Sequence, residues 1–290
     1  MTKIRYVMVT RFNIAVKYKS KKFSTTIPDI KPWLDRDYLK KRFDLFDKYT
    51  FPSVYNQTDK DFIWLVLFHK DTPNEFVELI DNYRAVLPAF TPCFLNDEES
   101  YDVFNFVSDY IREIQDGGDI RVISSRVDND DVIHHEFVKT TKEYLSKSKD
   151  TMFLSYENGF QYEIATRYCT EYCEIGNHFL AMITGTKDVN SILSAGDHDQ
   201  VMKTRSDDVK TIVKTKIPMW CEIISDSNCI NSLRWGGWFT NCDMAKAFPE
   251  LPKLWNNRLE YCGRSILNIF LYARWKLSSV VKYGRQWRRG

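Results

Sequence analysis

The 290-residue sequence predicts an α/β fold: a mixed, mostly parallel central sheet flanked by helices. Two observations carry this. Strand and helix patterns alternate through the first half of the chain, as in a parallel sheet with helices on both faces. The segment Phe62–His69 (FIWLVLFH) is almost wholly apolar, as expected of a strand buried on both faces. With 43% hydrophobic and 28% charged residues, the chain can bury a sizeable core and is not disordered by composition.

In order, Ile4–Thr10 reads as a strand. Leu34–Tyr49 reads as a helix, because Leu34, Tyr38, Leu39, Phe43, Leu45 and Phe46 form an apolar stripe and Pro52 follows its end. Phe62–His69 is the buried strand, and Pro73–Leu87 a helix with Pro near its start. Thr91–Leu95 is a short strand, Tyr101–Gln115 a helix broken by Gly117-Gly118, and Asp119–Val127 a strand. The second half is less regular. His134–Ser146 looks helical and Thr151–Tyr156 extended. Asn158-Gly159 looks like a hairpin turn leading into Phe160–Tyr168. Phe179–Thr184 and the aromatic segment Pro218–Trp238 suit antiparallel additions to the sheet. There is no internal repeat and no clear linker.

Composition narrows the class further. Eleven Gly and nine Pro exclude collagen-like or low-complexity architecture. No leader peptide is visible, and no run approaches the roughly 20 apolar residues of a spanning helix. Seven cysteines without a secretory signal suggest reduced thiols and a cytoplasmic location. Cys169 and Cys173 share a helical face on this reading, but no second Cys/His pair lies at zinc-finger spacing, so they are expected to be buried thiols. The net charge of +2 hides an asymmetry. Arg264–Gly290 holds seven basic residues and no acidic one, leaving 34 basic against 39 acidic in the rest. An acidic body without a known motif argues against nucleic acid as a partner.

Ligands of open α/β sheets bind beyond the carboxyl ends of the strands. There, after the strand Ile120–Ile123, lies Arg126-Val127-Asp128-Asn129-Asp130-Asp131. Three carboxylates in four positions repel one another unless a cation neutralises them. In an extended chain Asp128 and Asp130 point the same way and could hold Mg²⁺ or Mn²⁺ beside phosphate oxygens. The competing reading is an acidic turn in which Asp131 caps the helix near His134.

The Asp128-Asn129-Asp130 stretch resembles the DxD motif of GT-A glycosyltransferases. More narrowly, the chain is similar to the rhamnosyltransferase family. Thr10-Arg11-Phe12-Asn13, Trp33-Leu34 with Arg42, Leu45 and Phe46, Pro52-Ser53-Val54 with Gln57, Phe62 and Trp64, and Arg126–Asp131 carry the likeness, with Pro218-Met219-Trp220 and Asn228 as a weaker match. The resemblance implies a GT-A-like (Rossmann-like) domain, taken over residues 1–262, and the spacing and charge of the tail give a basic amphipathic C-terminal helix over 263–290. It implies transfer of a sugar, rhamnose or another hexose, from a nucleotide-diphosphate donor to a glycan or glycolipid acceptor. Asp128 would contact ribose or metal and Asp130 the metal, Mn²⁺ or Mg²⁺, with Thr10, Arg11, Arg126 and Asn129 around the nucleotide. Gln57 reads as a turn or core-edge group. Rival readings are a non-catalytic nucleotide-sugar or glycan-binding protein and a sugar nucleotidyltransferase.

An inverting enzyme also needs a carboxylate base. Asp197, Asp199 and Asp208 are the candidates, with Asp207 and Glu157 behind them. Where the family pattern places a late metal-binding histidine, this chain has Ser225, so Asp226, His198 from another loop, or water would fill that place. Trp235, Trp238 and Phe239 around Gly236-Gly237 could stack on an acceptor sugar. In the tail, Ile266, Phe270, Ala273, Leu277, Val280 or Val281 and Trp287 line one helical face. Arg274, Ser278, Lys282, Arg285 and Arg289 line the other. Such a helix suits the surface of an anionic membrane, the competing reading being a helix packed on the domain or a second subunit.

Overall fold

The computed structural model describes residues 3–15, 31–115, 120–185, 190–196, 198–226, 233, 244–254 and 258–287. The chain enters as β1 (Lys3–Arg11), followed after residue 31 by α1 (Arg36–Leu45), a π-helical turn over Phe46–Thr50, and α2 (Phe51–Tyr55). Next come β2 (Ile63–His69), α3 (Asn74–Val86), β3 (Phe90–Leu95), α4 (Asp97–Tyr101), α5 (Val103–Gln115) and β4 (Ile120–Arg126). The second half holds β5 (Val132–Ile133), α6 (Phe137–Leu145), β6 (Met152–Tyr156), β7 (Asn158–Glu163), β8 (Tyr168–Cys173) and β9 (Ala181–Ile183). It continues with α7 (His198–Thr204), β10 (Lys210–Val213), β11 (Trp220–Ile224) and α8 (Arg258–Trp287).

Seven strands form the main sheet in the order β10-β6-β9-β4-β1-β2-β3, and β5-β11-β7-β8 form a second sheet. Among the described strands of the main sheet, only β9 is antiparallel to its neighbours, β4 and β6. This is the mixed, mostly parallel sheet expected of a GT-A-like chain. Side-chain alternation along each strand sends residues to opposite faces. Tyr6, Met8, Trp64, Val66 and Phe68 pack with α1, α3 and α6, where Leu39, Phe43, Phe76, Ile80 and Phe137 join them. Val7, Val9, Leu65, Leu67 and Val122 pack on Val103, Val107 and Ile111 of α5. Helices therefore cover both faces, which is why β2 is apolar throughout.

Several local expectations change. The first helix does not end before Pro52 but runs on to Tyr55. The π turn ahead of Pro52 widens the backbone where its ring would meet the preceding turn, and Ser53 Oγ donates to the Thr50 carbonyl (2.8 Å). His134 and His135 precede α6 rather than lying on it, because His134 N–H pairs with the Met219 carbonyl (3.0 Å). Asn158-Gly159 is no turn: both residues lie in β7, paired with Cys173 and Tyr172 of β8. A Cβ at Gly159 would lie 2.2 Å from Trp220 ring atoms, so the absence of a side chain there reflects packing rather than a bend. The β7–β8 connection comes later, at Arg167, whose φ of 57° is left-handed. Cys169 and Cys173 lie on strand β8, one buried and one exposed, rather than together on a helical face.

The parallel strands end on one edge. β9 enters the sheet from that same edge, so the residues before it meet the residues after β4.

Candidate functional site

The acidic motif follows β4 as a turn rather than an extended segment, with Asp131 N–H on the Asp128 carbonyl (3.3 Å). Its three carboxylates therefore take different partners. Asp128 accepts from Arg126, the residue at the end of β4, at 3.2 and 3.3 Å. Asp130 accepts from Arg42 at 3.0 Å. Arg42 is there because α1 buries Leu39, Arg42 and Phe43, a three-four spacing that turns one basic side chain inward. Asp131 is almost fully buried. One carboxylate oxygen accepts Ile223 N–H of β11 (2.9 Å) and the other lies 2.7 Å from His178 Nε2. Asp131 thus ties the motif to the second sheet instead of capping a helix.

His178 is absent from the sequence-level site and central to the structural one. The register of β9 against β4 pairs Ser125 with Ala181. Continued three residues, it brings His178 opposite Asp128. The signal was available in outline: a histidine just before a short apolar strand that joins the sheet in the reverse sense. The reversal itself was not readable.

Asp128, Asp131 and His178 offer ligand atoms within 4.8 Å of one another. Two carboxylates and an imidazole are a reasonable donor set for a divalent transition ion. The 2.7 Å between His178 Nε2 and Asp131 is close to the roughly 3 Å that separates adjacent ligands of an octahedral ion. Of the three Asp side chains, Asp128 is the most open, at 34% exposure against 6% for Asp130 and 2% for Asp131. The electrostatics differ residue by residue. Burial would raise the Asp128 carboxyl, but Arg126, His178 and Arg11 outweigh it and hold it well below the carboxylate range. Burial raises Asp130 despite Arg42. Burial, then Asp130 and Asp128, push Asp131 far up. Burial lowers His178, against the pull of Asp128, which raises it. Arg126 Nε is buried with no hydrogen-bond partner, a donor left over for an incoming oxygen.

The remaining expected residues divide. Thr10 is fully buried; its Oγ1 donates to the Val127 carbonyl and accepts from Trp64 Nε1, both at 2.9 Å. Asn129 donates to the Phe12 carbonyl (2.9 Å). Both side chains are spent holding the β1 and β4 ends together, which corrects the expectation that they face a nucleotide. Arg11 lies close enough to stabilise the Asp128 charge. His198 is a neighbour of the donor group rather than a member: its ring lies 6.1 Å from that of His178 and Nδ1 contacts the Gly176 carbonyl. Asp199 is the second residue of α7 beside it. Asp208 and Asp207 are corrections. They precede β10, which runs parallel to β6, so they lie exposed at the opposite edge of the sheet. Glu157 follows β6 on the site edge, half-buried and 4.0 Å from Lys214. Asp226 is exposed and 3.9 Å from Lys41. Gln57 is structural, donating to Ser53 and His134 carbonyls and accepting Val138 N–H at the start of α6. Asp197, Asn228, Trp235, Trp238 and Phe239 lie outside the described residues. A second group, His134, His135 and Glu136, also has clustered donors, but His134 Nδ1 already accepts Glu136 N–H (3.2 Å).

Residues 5–231 match the family described as "Putative rhamnosyl transferase". The chain belongs to this rhamnosyl transferase family. Its fold is mixed α/β, and the acidic turn after β4 lies within the matched region. Among solved structures, S. aureus TarS is similar at 10% identity over 76% of this chain and 37% of that one (TM-score 0.42). A shorter form, TarS 1–349 in complex with UDP, is similar at 11% identity over 77% and 61% (TM-score 0.42). The chain thus spans between about a third and three-fifths of these structures. No curated protein matches it.

Proposed function

We propose that this rhamnosyl transferase family member moves a deoxyhexose such as rhamnose from a nucleoside-diphosphate donor to a glycan or glycolipid hydroxyl, with a divalent ion held by Asp128, Asp131 and His178. The convergence of these three groups at the carboxyl edge of the sheet carries the reading. A bound ion would neutralise charge developing on the leaving diphosphate. An imidazole beside two carboxylates favours Mn²⁺ over Mg²⁺, which prefers an all-oxygen shell. His178 takes the place the family pattern gives to a later histidine, which Ser225 leaves vacant. Asp130 is a positioning residue: its pair with Arg42 fixes the turn. Arg126 has two tasks. It neutralises Asp128 in the free protein, and its unpartnered Nε stands ready to donate to a diphosphate oxygen. Arg11, just past β1, adds positive charge to the same corner. The acceptor proton would go to a carboxylate, either Glu157 on this edge or Asp199 of α7.

The test is donor hydrolysis across a panel of nucleotide sugars with Mn²⁺. Turnover is expected with one or a few donors and is lost with EDTA and in Asp128→Ala and His178→Ala. Unchanged turnover in both variants defeats the assignment. Donor binding without turnover identifies a binding protein instead, and pyrophosphate release from a nucleoside triphosphate and a sugar phosphate identifies a nucleotidyltransferase. Glu157→Gln and Asp199→Asn then separate the two bases, since only the true one abolishes transfer to acceptor.

A further inference from the structure

The long terminal helix α8 serves none of these steps, yet it carries the most exposed apolar surface in the described chain. Its first turns are pinned to the β7–β8 connection from one side. Arg264 Nε and Arg167 both donate to Glu260 (3.2 and 3.4 Å), and the Arg264 guanidinium lies 5.5 Å from the centre of the Tyr168 ring. Leu259, Ile266, Phe270 and Leu277 lie elsewhere on the helix and are 85%, 57%, 69% and 69% exposed. Ile269 adds to the same region at 59%.

The spacing of these residues puts them on one side. Steps of seven, four and seven hold all four on one face for about 27 Å, a pattern that a straight amphipathic helix and a heptad seam share. Charge decides between a second copy and another surface. Beyond Glu260 the sequence has no acidic residue, only Arg264, Arg274, Lys276, Lys282, Arg285, Arg288 and Arg289. Two copies of such a segment laid together would repel. An anionic surface would attract each of them. No helix among the described residues is long and apolar enough to cross a membrane.

We propose that the Leu259–Ile266–Phe270–Leu277 face of α8 docks on an anionic lipid bilayer, with the helix lying along the interface and its basic residues on the headgroups. This brings the catalytic edge to the membrane as a tethered body, and it does not depend on which sugar is moved.

The full-length protein is floated with vesicles of phosphatidylcholine containing about one-third phosphatidylglycerol, with pure phosphatidylcholine vesicles, and with the anionic vesicles in high salt. Flotation is expected with the anionic vesicles and falls at least about ten-fold with neutral lipid or high salt. Ile266→Asp/Phe270→Asp, both exposed and outside the site, lowers it about ten-fold with the circular-dichroism helix signal retained. No flotation with anionic vesicles, or equal flotation of the double variant, overturns the proposal. So does a sedimenting dimer that the double variant converts to monomer, since that assigns the face to a second copy.

Discussion

At the residue scale, the three carboxylates of one short turn have three separate tasks, and substitution should separate them. Asp130→Ala leaves the Arg42 guanidinium buried without its counter-charge. A loss of about 3–5 kcal/mol in urea unfolding is expected. Arg42→Met/Asp130→Leu should recover most of it, because replacing a whole buried pair costs far less than breaking one. Asp128→Ala, at the open side of the turn, should cost less stability than Asp130→Ala and lose donor hydrolysis. If Asp130→Ala proves stable and only inactive, Asp130 is a ligand after all. His134 gives a pH signature. Burial and then His135 push its pKa down to about 4. The unfolded imidazole, near 6.5, takes up a proton first, so stability falls as pH drops from about 6.5 through 4. Discounted for partial solvent access, the effect is about 1–2 kcal/mol, and the fall in unfolding free energy, from urea titrations, between neutral pH and pH near 4 should be smaller by that amount in His134→Gln.

At the element scale, the parallel strands were legible because burial on both faces leaves an unmistakable apolar run, as in Ile63–His69. The second sheet was not. β7 and β11 pair in parallel although about 60 residues separate them, and no local pattern reports such a partner. Gly159 illustrates the loss. In sequence, Asn-Gly reads as a turn; in the fold, the glycine makes room for Trp220. That ring is fully buried, stacked on Phe179 at 5.0 Å, and held by Nε1 donating to the Tyr156 carbonyl (2.8 Å). It cannot move aside, so Gly159→Ala should cost about 3 kcal/mol and lower the melting temperature. A variant as stable as wild type would mean that the two sheets are packed more loosely than this contact requires.

At the scale of the whole molecule, the site joins three parts of the chain: the turn after β4, the entry to β9, and β11 through Ile223. An ion bound there should stabilise the entire fold, because it binds only where all three meet. Saturating Mn²⁺ is expected to raise the melting temperature by about 5 °C in wild type, reversed by EDTA and absent in His178→Ala. An equal shift in that variant would place the ion elsewhere. The acidic turn was visible in sequence because like charges crowd there for a reason. Its resolution was not: two of the three carboxylates find arginines, one from the preceding strand end and one from α1. The sequence by itself determined the alternating strands and helices, the carboxyl-edge location of the acidic motif, and the amphipathic basic tail, since each is written in local periodicity and charge. Only the tertiary structure decided which carboxylates stand together, that His178 meets them, and that Asp208 lies at the far edge. Those depend on the direction in which β9 and β10 enter the sheet, and strand direction is set by long-range pairing that leaves no mark on neighbouring residues.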